Sequence, residues 1–313
     1  MAPSMSYRSS ASGNSQPQPT RIAPKTPNIG LCKHTSRSPP LPFLSHTQNS
    51  PPRSYIHGGA WRDPRINHTS ALPTITSLLQ QCPTPAQHRI AGFASLDYRL
   101  SPHPSFPEDP SSTAPSRLRA ARHPDHLRDV RAALTLLGRE VLGGAPYVLY
   151  GHSCGATLAL QVLISKELLA PSAEEKVPLP AAVVGFQGMY DLPGLDARFG
   201  GAYKDILVGA FGSDETVWEA VSPARFRGSF RANWGPGADR KVAVVAYSPQ
   251  DEWIDKGEID AMEKTLRDDG LNVLAYRDLE GKHDEVWEDG RHLARVLLET
   301  LGELDRLEKK GGS

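Results

Sequence analysis

The chain has 313 residues, is 39 % hydrophobic, and balances 35 basic against 35 acidic side chains for a formal net charge of zero. That balance gives no electrostatic case for nucleic acid, and no apolar run reaches the roughly 18 residues of a membrane span. The three cysteines, Cys32, Cys82 and Cys154, are widely spaced and odd in number, which suits a reducing compartment better than a disulfide framework.

Residues 1–53 are rich in Ser, Pro, Gln and Asn and contain no acid, while Arg8, Arg21, Lys25, Lys33 and Arg37 are basic. We read them as a disordered segment. An acid-poor, Arg-containing start also suits mitochondrial targeting, but its prolines argue against the amphipathic helix that targeting needs, so a cytoplasmic setting is expected. No strand is recognisable there. Either the sheet lacks its first edge strands, leaving an unpaired edge, or the natural chain begins differently.

A strand end at Ser54-Tyr55-Ile56 runs into His57-Gly58-Gly59-Ala60-Trp61. Paired glycines let a backbone approach a reacting carbonyl and aim N–H groups at its developing negative charge. Gly58 and Gly59 are the candidate oxyanion donors of this H-G-G loop. From there helix and strand alternate: helix 72–81, strand 91–96, helix 124–139, strand 147–150, helix 156–169, strand 181–186, strand 241–247, helix 256–268, strand 272–276 and helix 289–307. Such alternation predicts an α/β fold, a mainly parallel sheet with helices on both faces. The catalytic domain is expected over 54–307, with a Pro/Ser/Arg-rich insertion loop at 107–122, a small helical cap at about 195–234, and a flexible tail at 308–313. His123-Pro124-Asp125-His126 reads as a helix start, from the fixed φ of proline and an acid in the first turn. Leu127, Val130, Leu134 and Leu137 then give that helix one apolar face. No H-E-x-x-H and no paired C-x-x-C occurs, so neither a metal nor another cofactor is expected.

Gly151-His152-Ser153-Cys154-Gly155 lies between a short apolar strand and a helix-forming stretch. This is the context of a nucleophile elbow, in which the serine hydroxyl stands exposed on a tight turn. A hydroxyl needs a base, and in this chain order an acid and then a histidine follow the serine. Asp251 lies just past strand 241–247, with Glu252 as a neighbouring candidate, and His283 lies in the loop before the C-terminal helix. We assign Ser153 as nucleophile, His283 as general base and then acid, and Asp251 as the group that fixes the imidazole. The N–H of Cys154 completes the oxyanion donors, and the Cys154 thiol is read as packing.

Seven stretches in order resemble the H-G-G-x-W kynurenine formamidase family of the α/β-hydrolase fold, most closely its fungal members. They are YIHGGAWRDP (55–64), DYRLSPH (97–103), HPDHLRDV (123–130), GHSCGATL (151–158), QGMYDL (187–192), SPQDE (248–252) and GKHDEVWE (281–288). The resemblance covers about 54–303; the missing early strands are the departure from it. It implies hydrolysis of N-formyl-L-kynurenine to L-kynurenine and formate, a step of tryptophan degradation. It carries Ser153, Asp251 and His283 onto the family triad, and His57 to Trp61 onto its oxyanion motif. The leaving group is then an aryl amine that His283 must protonate. The substrate carboxylate calls for an Arg or backbone partner, and the ring for an apolar wall, with Trp61, Tyr190 and Trp253 as candidates. The partner expected is that small molecule, with no nucleic acid or membrane; a homodimer is the assembly left open. The alternatives are a carboxylesterase of the same fold and a non-catalytic binding protein, which would be expected to have lost one of the three residues.

Overall fold

The computed structural model describes residues 29–30 (backbone only), 52–81, 90–115, 117–169 and 177–311. The remainder of the 1–53 reading, together with Cys32 and Cys82, lies outside the described residues. The strands are β1 (Ile29–Gly30), β2 (Arg53–Ile56), β3 (Phe93–Leu96), β4 (Val148–His152), β5 (Ala182–Phe186), β6 (Val242–Ala246) and β7 (Asn272–Tyr276), in one sheet of order β1-β3-β2-β4-β5-β6-β7. All neighbours pair in parallel except β1, which runs antiparallel to β3 through Ile29↔Leu96 and Gly30↔Ser95. This corrects the expectation that residues 1–53 hold no strand. The edge strand exists, but two residues carry no alternation from which a strand could be read.

Parallel strands covered on both faces are apolar throughout, and β4, β5 and β6 are buried at every position. Alternate side chains feed two cores. Val148, Tyr150, Val184, Phe186 and Val244 join one core with Leu293, Leu297 and Leu301 of the C-terminal helix. Leu149, Val183, Ala243 and Val245 join the other with Leu127, Val130 and Leu134.

The helices are α1 (Leu72–Gln81), α2 (Asp125–Leu137), α3 (Cys154–Leu163), α4 (Ser165–Leu168), α5 (Leu192–Arg198), α6 (Lys204–Phe211), α7 (Glu215–Val221), α8 (Phe230–Trp234), α9 (Lys256–Asp268), α10 (His283–Asp289) and α11 (Arg291–Gly311). Helix α2 continues into a π turn at Gly138–Leu142, ended by left-handed Gly143. The stretch expected to be one helix after the elbow is two, α3 and α4. The expected loop around His283 is the first turn of α10; left-handed Gly290 separates α10 from α11. Helices α5 to α8 occupy the expected cap. Glu258 of α9, fully buried, anchors the cap's start by accepting the amides of Tyr190 and Asp191 and pairing with Arg198.

Two glycines set how closely α3 meets the sheet. A Cβ on Gly155 would lie 2.2 Å from the Ile56 carbonyl oxygen and 2.6 Å from that of His57, and one on Gly151 would lie 2.3 Å from Gly155 backbone. Both neighbours are backbone, so nothing small can yield. Gly155→Ala is expected to lower the unfolding free energy by at least about 2 kcal/mol in urea titrations; a loss under about 0.5 kcal/mol would contradict this packing.

Buried histidines make stability pH-dependent. Burial pushes His126 down to about 3 and His123 to about 4, so both are neutral in the folded chain. In the unfolded chain they bind protons below about pH 6.5. Their contribution is therefore present above that pH and lost as pH falls. Between pH 7 and 5 each should remove up to about 1.4 kcal/mol per pH unit once the unfolded form is protonated. Urea midpoints across this range should show the slope, and His126→Asn should reduce it by about one proton.

Candidate active site

The elbow holds Ser153 at φ 54°, ψ −126°, a conformation costly for any residue with a Cβ. The Ser153 amide is tied to the Phe186 carbonyl (2.9 Å), and its carbonyl accepts the Ala156 amide (2.9 Å), so the strain is fixed from both sides. Ser153 and His283 line one cavity of about 230 Å³ at the carboxyl ends of the strands.

The Asp251 side chain is fully buried, and its Oδ2 accepts from His283 Nδ1 at 2.8 Å. Its Oδ1 accepts the amides of Trp253 (2.8 Å) and Ile254 (2.9 Å). A carboxylate held by three donors can only accept, so it places the imidazole proton on Nδ1 and leaves Nε2 basic. Glu252, the neighbouring candidate, instead accepts the backbone amide of His283 at 3.0 Å. The His283 carbonyl accepts from His152 Nε2 (3.1 Å), which also meets Gln187 Oε1 at 3.1 Å. Burial drives His152 well below its ordinary value, so it stays a neutral donor. The imidazole is thereby held through its ring, its amide and its carbonyl.

The H-G-G loop lies directly over the elbow: a Cβ on Gly58 would be 3.2 Å from Ser153 Cβ. Gly59, Ala60 and Trp61 take consecutive positive φ values of 89°, 49° and 59°. Among the described residues the amides of Gly58 and Gly59 donate to no protein acceptor. The Tyr98 hydroxyl contacts the carbonyls of His57 and Gly58, both at 3.1 Å, and the Trp61 amide donates to Cys154 Sγ at 3.2 Å. These contacts hold the His57 and Gly58 carbonyls toward Tyr98, and of the two glycines Gly59 lines the cavity. Cys154, first in α3, has its own amide among those a helix start leaves unpaired. Its thiol is buried and pushed up to about 11 by burial, so it is neutral. It packs, as expected, and it also anchors the loop.

Two motif residues serve as structure. His57 is buried, stacks on Tyr98 at 4.4 Å, and meets its neighbour's carbonyl through Nδ1 (2.9 Å). Trp61 is fully buried against Phe211 of α6, with ring centroids 4.9 Å apart. Of the three aromatic candidates for the cavity wall, Trp61 and Tyr190 are core residues, whereas Trp253 lines the cavity, is 50 % exposed and stacks over His283 at 6.2 Å. The cap contributes Ile206 to the wall, and Tyr203 donates to the Trp253 carbonyl. Sequence reasoning assigned no role to Tyr98, to Gln187 or to the basic wall of Arg62, Arg65 and His103. Tyr98 was legible only as part of a shared D-Y-R-L motif. The arrangement gathers a strained hydroxyl, an imidazole held by a buried acid, and amides without a protein acceptor around one cavity. No cluster suited to hold a metal ion occurs among the described residues.

No family model matches the chain. It is 39 % identical over 264 residues to a kynurenine formamidase-like hydrolase, fscH, of Fusarium equiseti, covering 81 % of this chain and 83 % of that protein. It is 32 % identical to the kynurenine formamidase avaC of Aspergillus versicolor (74 % and 82 % covered) and 27 % identical to a kynurenine formamidase of Meyerozyma guilliermondii (79 % and 83 %). Among solved structures, esterase B of Lactobacillus rhamnosis superposes with TM-score 0.58 at 17 % identity, covering 84 % of this chain and 78 % of that one. A bifunctional acetyl ester-xyloside hydrolase of Caldicellulosiruptor lactoaceticus gives 0.55 at 13 % identity, with 90 % of each chain covered. These likenesses establish the α/β-hydrolase fold.

Tyr98→Phe removes the hydroxyl that holds the loop carbonyls. Turnover of an activated aryl acetate should fall about tenfold in kcat with KM little changed, since each oxyanion donor is worth about 3 kcal/mol and the donors are loosened, not lost. An unchanged kcat would show that the loop is held without it.

Proposed function

The chain belongs to the kynurenine formamidase family of α/β-hydrolases, and on that footing we propose that it hydrolyses N-formyl-L-kynurenine to L-kynurenine and formate. The observation that carries the reading to these residues is the buried 2.8 Å contact between Asp251 and His283, with His283 and Ser153 on one cavity wall.

In this mechanism the Ser153 hydroxyl attacks the formyl carbon while His283 Nε2 takes its proton. The carbonyl oxygen becomes an oxyanion between the amides of Gly58 or Gly59 and Cys154. Asp251 stabilises the imidazolium that forms and keeps it oriented. On collapse of the tetrahedral intermediate, the imidazolium gives its proton to the departing aryl amine. That leaves the formyl group as an ester on Ser153. Water, deprotonated by His283, attacks this ester, and the second collapse returns the proton to Ser153 and releases formate. A formyl group has no side chain, so its acyl side needs little room; a cavity of about 230 Å³ leaves its space to one aromatic ring and a short tail. Trp253, stacked beside His283, supplies the flat apolar wall.

The test is release of formate from N-formyl-L-kynurenine, followed by the absorbance of the free arylamine product. Ser153→Ala should lower kcat by at least about 10⁴-fold with folding intact. Short-chain aryl esters hydrolysed far faster than the formamide would replace this reading with a carboxylesterase. Loss of activity with a chelator would contradict the proposed mechanism.

A further inference from the structure

Two arginines line the cavity, Arg62 and Arg65, and Arg65 and the nearby Arg99 and Arg119 are engaged. Arg65 grips Asp63 through two contacts, of 2.6 and 3.0 Å. Arg99 grips Asp129 through two contacts of 2.8 Å. Arg119 closes the insertion loop on Glu108 at 2.5 Å. Arg62 makes no side-chain hydrogen bond and no ion pair within 4 Å among the described residues, although it is half-buried and lines the same cavity as Ser153 and His283. The acids that face it are Asp63, already committed to Arg65, and Asp205 of α6, which acts on it only at longer range. Burial without a close partner disfavours its charge and lowers its pKa.

A guanidinium partly withdrawn from water with its fork unoccupied is a receptor for a planar anion. Its backbone is fixed by the turn that builds the oxyanion loop, since its amide donates to the Gly59 carbonyl at 2.9 Å. Its reach to the reacting carbon is therefore set by the same few residues that aim the oxyanion donors. Beside it, His103 accepts the Ser105 amide on Nδ1 (3.0 Å), so its remaining proton sits on Nε2. Arg62 and the neutral His103 also border an adjoining cavity of about 510 Å³ walled by Pro104, Phe106 and Leu118, so the guanidinium stands where the reaction cavity opens outward.

We propose that Arg62 is the specificity-determining residue that takes the carboxylate of the substrate's amino-acid tail, so that the site selects formamides of arylamines bearing an anionic arm. The assignment rests on the formamidase reading for its natural substrate, but its chemistry, recognition of a carboxylate at a fixed reach from Ser153, can be tested separately.

The experiment compares N-formyl-L-kynurenine with its carboxamide, which keeps the ring and ammonium and loses the anion. The native chain should prefer the carboxylate. Arg62→Gln should lower kcat/KM for the carboxylate roughly 10- to 100-fold, mainly through KM, and for the carboxamide less than about threefold, so the preference disappears. Arg62→Lys should retain part of it, keeping the charge and losing the fork. Equal losses on both substrates would assign Arg62 a structural role, and no loss on either would place the carboxylate elsewhere; both outcomes overturn the proposal. The same comparison is made on phenyl acetates with and without a carboxylate arm. If formamides are not turned over but the anionic ester is preferred through Arg62, the proposed function fails and this assignment stands. If formamides are turned over with no carboxylate preference, the reverse holds.

Discussion

The structure depends on one close approach, the start of α3 against the end of β2. With no room for a Cβ at Gly155, helix and strand meet backbone to backbone, 2.2 Å from a virtual Cβ to the Ile56 oxygen. This contact brings the turn carrying Ser153 and the loop carrying Gly58 and Gly59 into one rigid unit. Acyl transfer needs that unit, because an oxyanion donor misplaced by an ångström relative to its nucleophile loses most of its value. The remaining contacts lock it. Cys154 Sγ takes the Trp61 amide, and the Tyr98 hydroxyl reaches the His57 and Gly58 carbonyls. Burial pushes the Tyr98 phenol well above its ordinary value, which keeps it a hydroxyl. The positive φ values of Ser153, Ala60 and Trp61 are thus concentrated at one place and held by the packing around it.

The Asp251–His283 half of the site follows a different logic. Asp251 is dry yet accepts from two amides and an imidazole, so the energy of burying a charge is offset by three donors. His283 is pinned at the first turn of α10 by Glu252 on its amide and His152 on its carbonyl. The acid arrives on the loop after β6 and the histidine after β7, two neighbouring parallel strands in register. Their meeting is therefore a consequence of sheet order, and the chain order serine, acid, histidine is that sheet order read along the sequence.

This explains which parts were legible in advance. Strands β4 to β6 show as apolar runs because both faces are covered, β7 as a shorter run at the edge, and Ser153, Asp251 and His283 each follow such a run. Tight turns are written in glycines, so the elbow and the H-G-G loop were equally open to reading. What escaped has no local signature. Strand β1 has two residues and is defined only by its partner on β3. Gly281 just before His283 reads as a loop, so His283 was expected in one, whereas helix α10 starts at His283 itself. Trp61 and Tyr190 were candidates for the wall because they flank motifs, yet an aromatic beside a motif can face either way. Only the packing of Trp61 on Phe211 and the exposure of Trp253 separate them. Tyr98 and Cys154 act through each other across 56 positions of sequence, a relation no linear pattern carries.

The division of labour between sheet and surroundings then has a physical basis. Ser153 follows a strand end, and Cys154 and His283 are the first residues of helices, where backbone hydrogen bonding limits motion, while Gly58 and Gly59 lie in the loop packed against that turn. The rest of the cavity wall comes from elsewhere: Ile206 from the cap, Trp253 from the acid loop, His103 from the mouth of the insertion, Arg62 from the turn after the glycines. The cap is tied to this wall through Tyr203 and the Trp253 carbonyl, and to the segment leading into α2 through the His123 amide and the Ala210 carbonyl. Loops and short helices can change in length and charge without disturbing a parallel sheet, whereas the elbow tolerates not even a methyl group. On the proposed function, reaction type rests with the close-packed part of the chain and choice of substrate with the loops around it.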